Sequence, residues 1–396
     1  MRGLVLTAGG ARGAYQAGVL QRIGEIPALR GRPTPFPIIT GASAGALNGT
    51  VLAAGAGDFA AVTRRLAQIW SELKITDVFR TDAMSLGTGG VRLLKDLTLG
   101  GFFGGGAAQS LLDASPLRGF LERNLPLAGI GQAIRDGHLY AVGVSATSYH
   151  SGKSYTFIQG RPGHPLWLKS RRVALAVELT VEHVCASAAI PILFQPVCIH
   201  SPAGAFYFGD GGLRLVTPFS PAIRLGATHV FAIGVRCQRA SAALMRREVA
   251  MAGGGGEPVH MPRPPLSQIC GVFLNAIFLD HLDTDLDHLQ RMNELIAVNG
   301  SAKHDGAAVS EPMRRVEPLT IDPSQDLALV AEHHARRMPA LVRYLMEGLG
   351  PADAQSADLM SYLLFDASYT RALVEIGYED ASTRIDEIEA FLLPRV

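Results

Sequence analysis

The chain is organised around the stretch Phe36-Pro37-Ile38-Ile39-Thr40-Gly41-Ala42-Ser43-Ala44-Gly45-Ala46-Leu47-Asn48-Gly49. An apolar run leads into Gly-x-Ser-x-Gly, and small residues that can start a helix follow. This order is typical of a nucleophile elbow, a sharp strand-to-helix turn with a serine at its apex. A helix N-terminus behind Ser43 would favour negative charge in front of it. An ordinary turn, whose serine only caps the helix, remains the alternative.

A second glycine-rich turn lies near the N-terminus. Leu4-Val5-Leu6 predicts a short buried strand, and Thr7-Ala8-Gly9-Gly10-Ala11-Arg12-Gly13 separates it from a helical pattern. Backbone N–H groups at such a turn suit a nucleotide phosphate or the oxyanion of an acyl transfer. A dinucleotide site needs an acidic residue at the end of the next strand, which ends in Thr-Gly-Ala-Ser instead. The oxyanion is therefore favoured, and a turn that merely packs a helix on a strand stays open.

Composition narrows the class of protein. The chain has 396 residues, 48% of them hydrophobic, which is enough for one large or two ordinary globular domains. Lys plus Arg total 36 and Asp plus Glu total 35, and this balance argues against a nucleic-acid partner. The four cysteines, Cys185, Cys198, Cys237 and Cys270, form no CxxC pair, so neither a zinc site nor a redox motif is indicated.

The sequence also bears on location. The apolar segment at the N-terminus is too short for a signal peptide. No uninterrupted apolar window reaches the length of about 18 residues that predicts a transmembrane helix. We therefore expect a cytoplasmic protein, with peripheral contact to a membrane as a further expectation.

Predicted strands and helices alternate through the first 235 residues. The strands are expected at 4–6, 36–40, 139–146, 154–158, 205–208 and 230–235, and helices at 58–73, 115–125 and 171–189. This alternation predicts an α/β fold with a mostly parallel sheet and helices on both faces. Ligands bind such sheets at the carboxyl ends of the strands. The glycine turn, Ser43 and Asp210 each follow a predicted strand and are expected to converge there.

The rest of the chain is predicted to differ in character. We expect a domain at 4–222, a flexible linker at 236–265, and a mainly helical C-terminal region at 266–396 that packs on the core. That region would hold one long helix at 267–298 and a strand at 317–322. The His and Asp residues at 280–288 fit a solvated helix face better than a metal site.

Phe102 and Phe103 stand among five glycines at 100–106. They suggest either a flap that covers a site or dips into lipid, or two rings that simply pack on the core.

A nucleophilic serine requires a base, which is most often histidine. None of the histidines at 150, 183, 200 and 229 has a distinctive sequence setting. Asp210 is a sharper candidate because it follows a predicted strand and stands between Gly209 and Gly211. A carboxylate in such a place also commonly does no more than cap a turn.

A joint resemblance rests on the motifs at Gly9–Gly13, Gly41–Gly45 and Asp210–Gly212 and on the block Ala186–Pro196. Through them, the chain resembles the patatin-like phospholipase family over about residues 4 to 222. The resemblance implies a three-layer α/β/α fold and a Ser–Asp dyad that needs neither metal nor cofactor. Ser43 would be the nucleophile and Asp210 the base. Gly9, Gly10 and Arg12 would form the oxyanion hole, and the turns would rely on Gly13, Gly41, Gly45, Gly211 and Gly212. One departure is visible, since Ala8 stands where the family usually has the first of three glycines.

The implied activity is serine lipid acyl hydrolysis, the cleavage of fatty-acyl esters in phospholipids or lysophospholipids. An acyltransferase that passes the same acyl-serine to an alcohol is an alternative. A non-catalytic lipid-binding or signalling protein that keeps the fold is another. Phe102 and Phe103 are the expected membrane contact.

Overall fold

The computed structural model describes residues 1–81, 110–202, 204–237, 266–278, 281–299, 314–334 and 357–393. The predicted flap at 100–106, with Phe102 and Phe103, lies outside these residues. So does nearly all of the predicted linker at 236–265.

The described residues form one nine-stranded sheet with the main order β5-β4-β3-β2-β1-β8-β9. Neighbouring strands in this order run parallel, except for β3 and β4. Strand β7 pairs antiparallel with β3 and with β6. The predicted mostly parallel sheet is therefore confirmed. The strands are β1 Arg2–Leu6, β2 Ile38–Ala42, β3 Ala141–Ser148, β4 Ser154–Gly160, β5 Arg172–Ala176, β6 Val197–Ser201, β7 Gly204–Gly209, β8 His229–Ile233 and β9 Glu317–Ile321.

Helices lie between many of the strands and after the last one. Among the described part of the first 235 residues, the α-helices are α1 Gly13–Gly24, α2 Ala44–Ala54, α3 Phe59–Glu72, α4 Ile75–Val78, α5 Ser115–Asn124, α6 Ala128–Arg135, α7 Val181–Ser187 and α8 Phe219–Arg224. The later ones are α9 Leu266–Phe278, α10 His281–Asn299, α11 Leu327–His334, α12 Ala357–Leu363, α13 Ala367–Thr383 and α14 Ile385–Leu392. The described part of the C-terminal region is thus mainly helical, with β9 as its strand.

Alternating side chains of the central strands enter two separate apolar cores, one on each face of the sheet. Leu4 and Leu6 join the larger core with α1, α2, α3 and α13. Val5 joins the smaller core with Phe219 of α8 and Leu282 of α10. Successive strand side chains point to opposite faces, so a strand buried on both faces reads as a continuous apolar run. The three-layer α/β/α architecture follows.

The C-terminal region contributes to this same architecture. Strand β9 pairs in parallel with β8, and β8 pairs with β1. Helix α13 packs along α1, where Tyr369 and Leu373 are fully buried in the larger core.

The helix expected at 171–189 is a wrong prediction. The structure has β5 at Arg172–Ala176 and α7 at Val181–Ser187. Small and branched apolar residues in the first half pair with β4, and this tertiary pairing overrides the helical pattern. Thr180 then starts α7, because its N–H donates to Nδ1 of His183 at 3.1 Å.

The single helix expected at 267–298 is described as the two helices α9 and α10. They pack against different layers, α9 on α12 and α10 on α8.

Close contact between α1 and α13 depends on glycine. A Cβ placed on Gly18 would lie 1.9 Å from the carbonyl oxygen of Val374. We expect Gly18→Ala to lower the free energy of unfolding by about 1–3 kcal/mol, because the two helix backbones must separate. Gly119→Ala in α5 is the matched control. Its Cβ would meet nothing closer than 3.4 Å, and a glycine-to-alanine change in a helix stabilises by up to about 1 kcal/mol. Urea unfolding of both variants checks the contrast, and equal effects would contradict it.

Candidate active site

The strand register brings the predicted motifs to one edge of the sheet. Leu6 of β1 pairs with Gly41 of β2. Ala42 of β2 pairs with Ser145 of β3, and Thr147 of β3 pairs with Gly209 of β7. The glycine turn after β1, Ser43 after β2 and Asp210 after β7 therefore come together, as the sequence predicted.

Ser43 occupies the apex of a strained turn. Its backbone has φ 55° and ψ −126°, a conformation that residues other than glycine rarely adopt. A Cβ on Gly45 would lie 2.2 Å from the carbonyl oxygen of Leu6, so the turn requires a glycine there. The Ser43 side chain makes no capping hydrogen bond to α2. The turn thus has the geometry of a nucleophile elbow, and its serine is not a helix cap.

Ser187 holds this turn in place from α7. The N–H of Ser43 donates to Oγ of Ser187 at 2.9 Å, and the Ser187 hydroxyl donates to the carbonyl oxygen of Ser145 at 2.5 Å. All three residues are buried. In the sequence, Ser187 stands within the block Ala186–Pro196 and has no predicted role of its own. Nothing in the sequence indicates that residues 144 positions apart are hydrogen-bonded.

Asp210 is fully buried beside the elbow. Its backbone is fixed on both sides, since its N–H donates to the carbonyl oxygen of Ala189 at 2.9 Å and its own carbonyl oxygen accepts from Thr147 Oγ1 at 2.8 Å. Oδ1 accepts the N–H of Gly212 at 2.8 Å. Oδ2 is buried and completes no hydrogen bond with any residue of the described ranges.

Burial raises the pKa of Asp210 to about 7, and the Ser43 hydroxyl and the Gly212 N–H oppose this rise. The Ser43 hydroxyl therefore lies next to the carboxylate, although no well-formed hydrogen bond joins the two. Catalytic hydrogen bonds are often loose in the absence of substrate. A half-satisfied buried carboxylate next to a strained serine is an arrangement suited to proton transfer.

The glycine turn lies beside the same site, since Gly10 and Ser43 line one cavity. Gly10 has φ +56°, and a Cβ there would lie 2.4 Å from the carbonyl oxygen of Tyr362. No acceptor among the described residues receives the N–H of Gly9 or Gly10. Ala8, where the family usually has glycine, is not among the residues with positive φ, so alanine fits there without strain.

An apolar cavity lies beside these groups. Gly10 and Ser43 line it together with Leu47, Trp70 and Phe194. Its other walls are Ala44, Ile69, Leu73, Val78, Leu117, Phe120, Ala188, Ile190 and Phe365. The cavity thus offers an apolar chain a place next to the serine.

Residues 4–223 match the family model described as patatin-like phospholipase, which covers more than half of the chain. The chain belongs to the patatin-like phospholipase family. The family's description names phospholipase activity, the hydrolysis of lipid esters, for its members. No curated protein matches the sequence.

A solved structure, VipD from Legionella pneumophila, is similar at 12% identity with a TM-score of 0.34. The alignment covers 94% of this chain and 66% of that chain.

Arg12 of this patatin-like chain, unlike Gly10, does not line the cavity. Its Nε donates to Oγ of Ser361 and its Nη2 to Oδ1 of Asp358, both at 2.8 Å. The guanidinium lies 4.6 Å from the ring centroid of Tyr362. Its backbone N–H is also committed, to the carbonyl oxygen of Gly9 at 3.1 Å. Arg12 therefore anchors the glycine turn to α12.

At each of the remaining turn glycines, a Cβ would collide with a neighbouring atom. The nearest atoms to a Cβ are Ala44 Cβ for Gly13, the Gly45 carbonyl for Gly41, the Ser145 carbonyl for Gly211 and the Phe278 ring for Gly212, all between 2.1 and 2.6 Å.

The four histidines considered as bases have other surroundings. Burial lowers the pKa of His183 to about 4, and its Nδ1 caps α7. The ring of His150 packs against Phe206 and Tyr207. His200 lies 3.8 Å from the sulfur of Cys198, and His229 lies 3.3 Å from a carboxylate oxygen of Glu317.

Across the ranges that the structure describes, no helix combines the length and apolar character needed to cross a membrane. Within those same ranges, no three His, Cys, Asp or Glu side chains are grouped so as to hold a metal ion.

The raised pKa of Asp210 has a consequence for stability. The unfolded carboxyl has a pKa near 3.8, so between about pH 4 and 7 the folded state retains a proton that the unfolded state has lost. The penalty for the buried charge is therefore absent below about pH 4 and grows as the pH rises to about 7. We expect Asp210→Asn to have a higher free energy of unfolding than the wild type at pH 8. This difference should decrease by up to about 1.4 kcal/mol per pH unit as the pH is lowered from 7 to 4. Urea unfolding across this range measures it, and a difference that does not vary with pH would contradict the assignment.

Proposed function

We propose that this protein is a serine lipid acyl hydrolase that cleaves fatty-acyl esters of phospholipids or lysophospholipids through a dyad of Ser43 and Asp210. One observation carries the proposal. The serine at the apex of a strained elbow adjoins a buried, half-satisfied carboxylate and opens on an apolar cavity. The family supplies the class of substrate.

In the first step, Oγ of Ser43 attacks the ester carbonyl carbon while Asp210 accepts the serine proton. The pKa of about 7 lets the carboxyl group both take and return a proton near neutral pH. The carbonyl oxygen gains negative charge, and the N–H groups of Gly9 and Gly10 donate to it. Asp210 then passes the proton to the leaving alcohol, and the acyl group stays on Ser43.

In the second step, Asp210 removes a proton from water as the water oxygen attacks the acyl-serine carbonyl. The same amides stabilise the second oxyanion. The C–Oγ bond breaks, the fatty acid leaves, and Asp210 returns its proton to Ser43. Such donors contribute most where they are fixed beforehand. The close contact of Gly10 with the Tyr362 carbonyl and the anchored Arg12 fix this turn.

The dyad is tested by Ser43→Ala and Asp210→Asn. We expect kcat for fatty-acid release to fall at least about 10³-fold in each variant. Ser43→Ala removes the nucleophile and Asp210→Asn removes the base, and neither group acts without the other. Fatty-acid release from phospholipid and lysophospholipid dispersions is the measurement.

Ser170→Ala and Asp136→Asn, at exposed positions, are the matched controls and should retain full activity. Activity that survives in Asp210→Asn would assign the base to another residue. A parallel assay with an alcohol acceptor distinguishes hydrolysis from acyl transfer by its products.

The pH dependence follows from the same carboxylate. The free enzyme is active with Asp210 ionised, and burial raises its pKa to about 7. We therefore expect kcat/KM to rise as the pH increases from 5 to 8, with a midpoint near 7. A midpoint near 4, the ordinary range for aspartate, would contradict a buried Asp210 as the base. The profile is measured on a soluble short-chain ester, so that lipid packing does not contribute.

A further inference from the structure

Strands β6 and β7 form a ribbon that extends beyond the sheet at the edge where the candidate active site lies. Only Gly209 and Phe208 of β7 pair with β3, at the level of Thr147 and Ser148. The residues of β7 further out pair with β6, and among them Tyr207 also accepts the N–H of Tyr149 through its carbonyl oxygen at 3.1 Å. At about 3.4 Å per residue, the five steps from Gly209 to Gly204 carry the ribbon roughly 17 Å outward.

The ribbon presents aromatic side chains to its surroundings and carries no formal charge. Residues 189–209 include no Asp, Glu, Lys or Arg. Phe206 is 39% exposed and Tyr207 is 44% exposed, and Tyr149 beside them is 42% exposed. The facing edges of the two strands pair with each other. Exposed aromatic side chains on a segment without formal charge suit the boundary between water and lipid.

Positive charge borders the ribbon. Residues 140–177 contain five Lys or Arg residues and no Asp or Glu. Lys153 precedes β4 and Arg171 precedes β5, and these two strands begin opposite each other at the edge where β3 ends. Both side chains are accessible, and Leu168 nearby is 77% exposed. We call Lys153 and Arg171 the basic rim.

Both ends of the ribbon lead into the candidate active site. Ile190 and Phe194, just before β6, line the apolar cavity next to Ser43. Asp210 directly follows β7. Contact between the ribbon and a membrane would therefore lie close in the chain to a wall of the cavity and to the proposed base.

We propose that the β6–β7 ribbon and its basic rim form the surface that docks on anionic phospholipid membranes. The proposal rests on the proposed lipid acyl hydrolase function and names the surface through which that function meets its substrate. The aromatic side chains enter the headgroup region, and the cations contact lipid phosphates. A second copy of the chain fits less well, because a two-fold contact through this surface would bring the two basic rims together.

Binding is measured in the Ser43→Ala background, so that vesicles stay intact and docking is read without catalysis. The probes are phosphatidylcholine vesicles and equimolar phosphatidylcholine–phosphatidylglycerol vesicles, in a sedimentation assay. We expect Phe206→Ser/Tyr207→Ser to weaken binding to the mixed vesicles at least about tenfold. Leu295→Ser/Val298→Ser, which alters two exposed apolar residues of α10, is the matched control and should bind normally.

The basic rim is tested by Lys153→Glu/Arg171→Glu. We expect at least about tenfold weaker binding to the mixed vesicles, little change with phosphatidylcholine alone, and the same loss for the parent protein in high salt. Arg30→Glu/Arg64→Glu gives the same change in net charge at another exposed site and should leave binding unaltered.

Hydrolysis of a soluble short-chain ester, measured with Ser43 intact, separates this inference from the proposed function. The ribbon variant should hydrolyse the soluble ester at the normal rate and phospholipid vesicles slowly. Normal vesicle binding by the ribbon variant, absence of binding by the parent, or equal losses in the controls would overturn the inference. A change in oligomeric state caused by the ribbon substitutions would assign this surface to a second copy instead. Absence of ester hydrolysis with normal vesicle docking would overturn the proposed function alone.

Discussion

The structure depends above all on the register between β1, β2, β3 and β7. The pairs Leu6–Gly41, Ala42–Ser145 and Thr147–Gly209 align the ends of four strands that are far apart in sequence. A shift of one residue in any strand would turn its buried side chains to the opposite face. Because both faces of this sheet are covered by apolar cores, such a shift is costly. The burial that stabilises the fold therefore also fixes where Ser43 and Asp210 stand.

The same burial accounts for the unusual carboxylate. Asp210 lies in a core that offers it one backbone donor and leaves Oδ2 without a hydrogen bond among the described residues. Removing a charge from water destabilises the folded state, and the raised pKa expresses this cost. The fold withstands it because Ala189 and Thr147 hold the Asp210 backbone and strand pairing continues up to Gly209. Strain at Ser43 is held similarly, by the bond from its N–H to Ser187.

The sequence predicted those parts of the site that depend on local chemistry. The sharp turn between a strand and a helix can form only with small residues around the serine, so Gly-x-Ser-x-Gly predicts it directly. The turn at Gly9 and Gly10 likewise depends on its own residues. The wrong helix at 171–189 arose where pairing with β4, a tertiary contact, decided the local structure. Ser187 was not assigned a role because its bond to Ser43 spans 144 residues. Asp358 and Ser361 were not found for the same reason, since they meet Arg12 from about 350 positions away.

The contact between Arg12 and α12 makes the C-terminal region part of the candidate active site. Asp358 also accepts a hydrogen bond from Asn275 of α9, and the hydroxyl of Tyr362 donates to the same asparagine. A buried ion pair adds little net stability, since desolvation offsets most of the attraction. Its directional bonds nevertheless fix geometry, and here they fix the turn whose Gly10 meets the Tyr362 carbonyl. Helices that follow the matched residues 4–223 in the chain thus hold the glycine turn in position. The matched residues 4–223 supply the chemical groups, and the later helices hold one of the turns on which those groups depend.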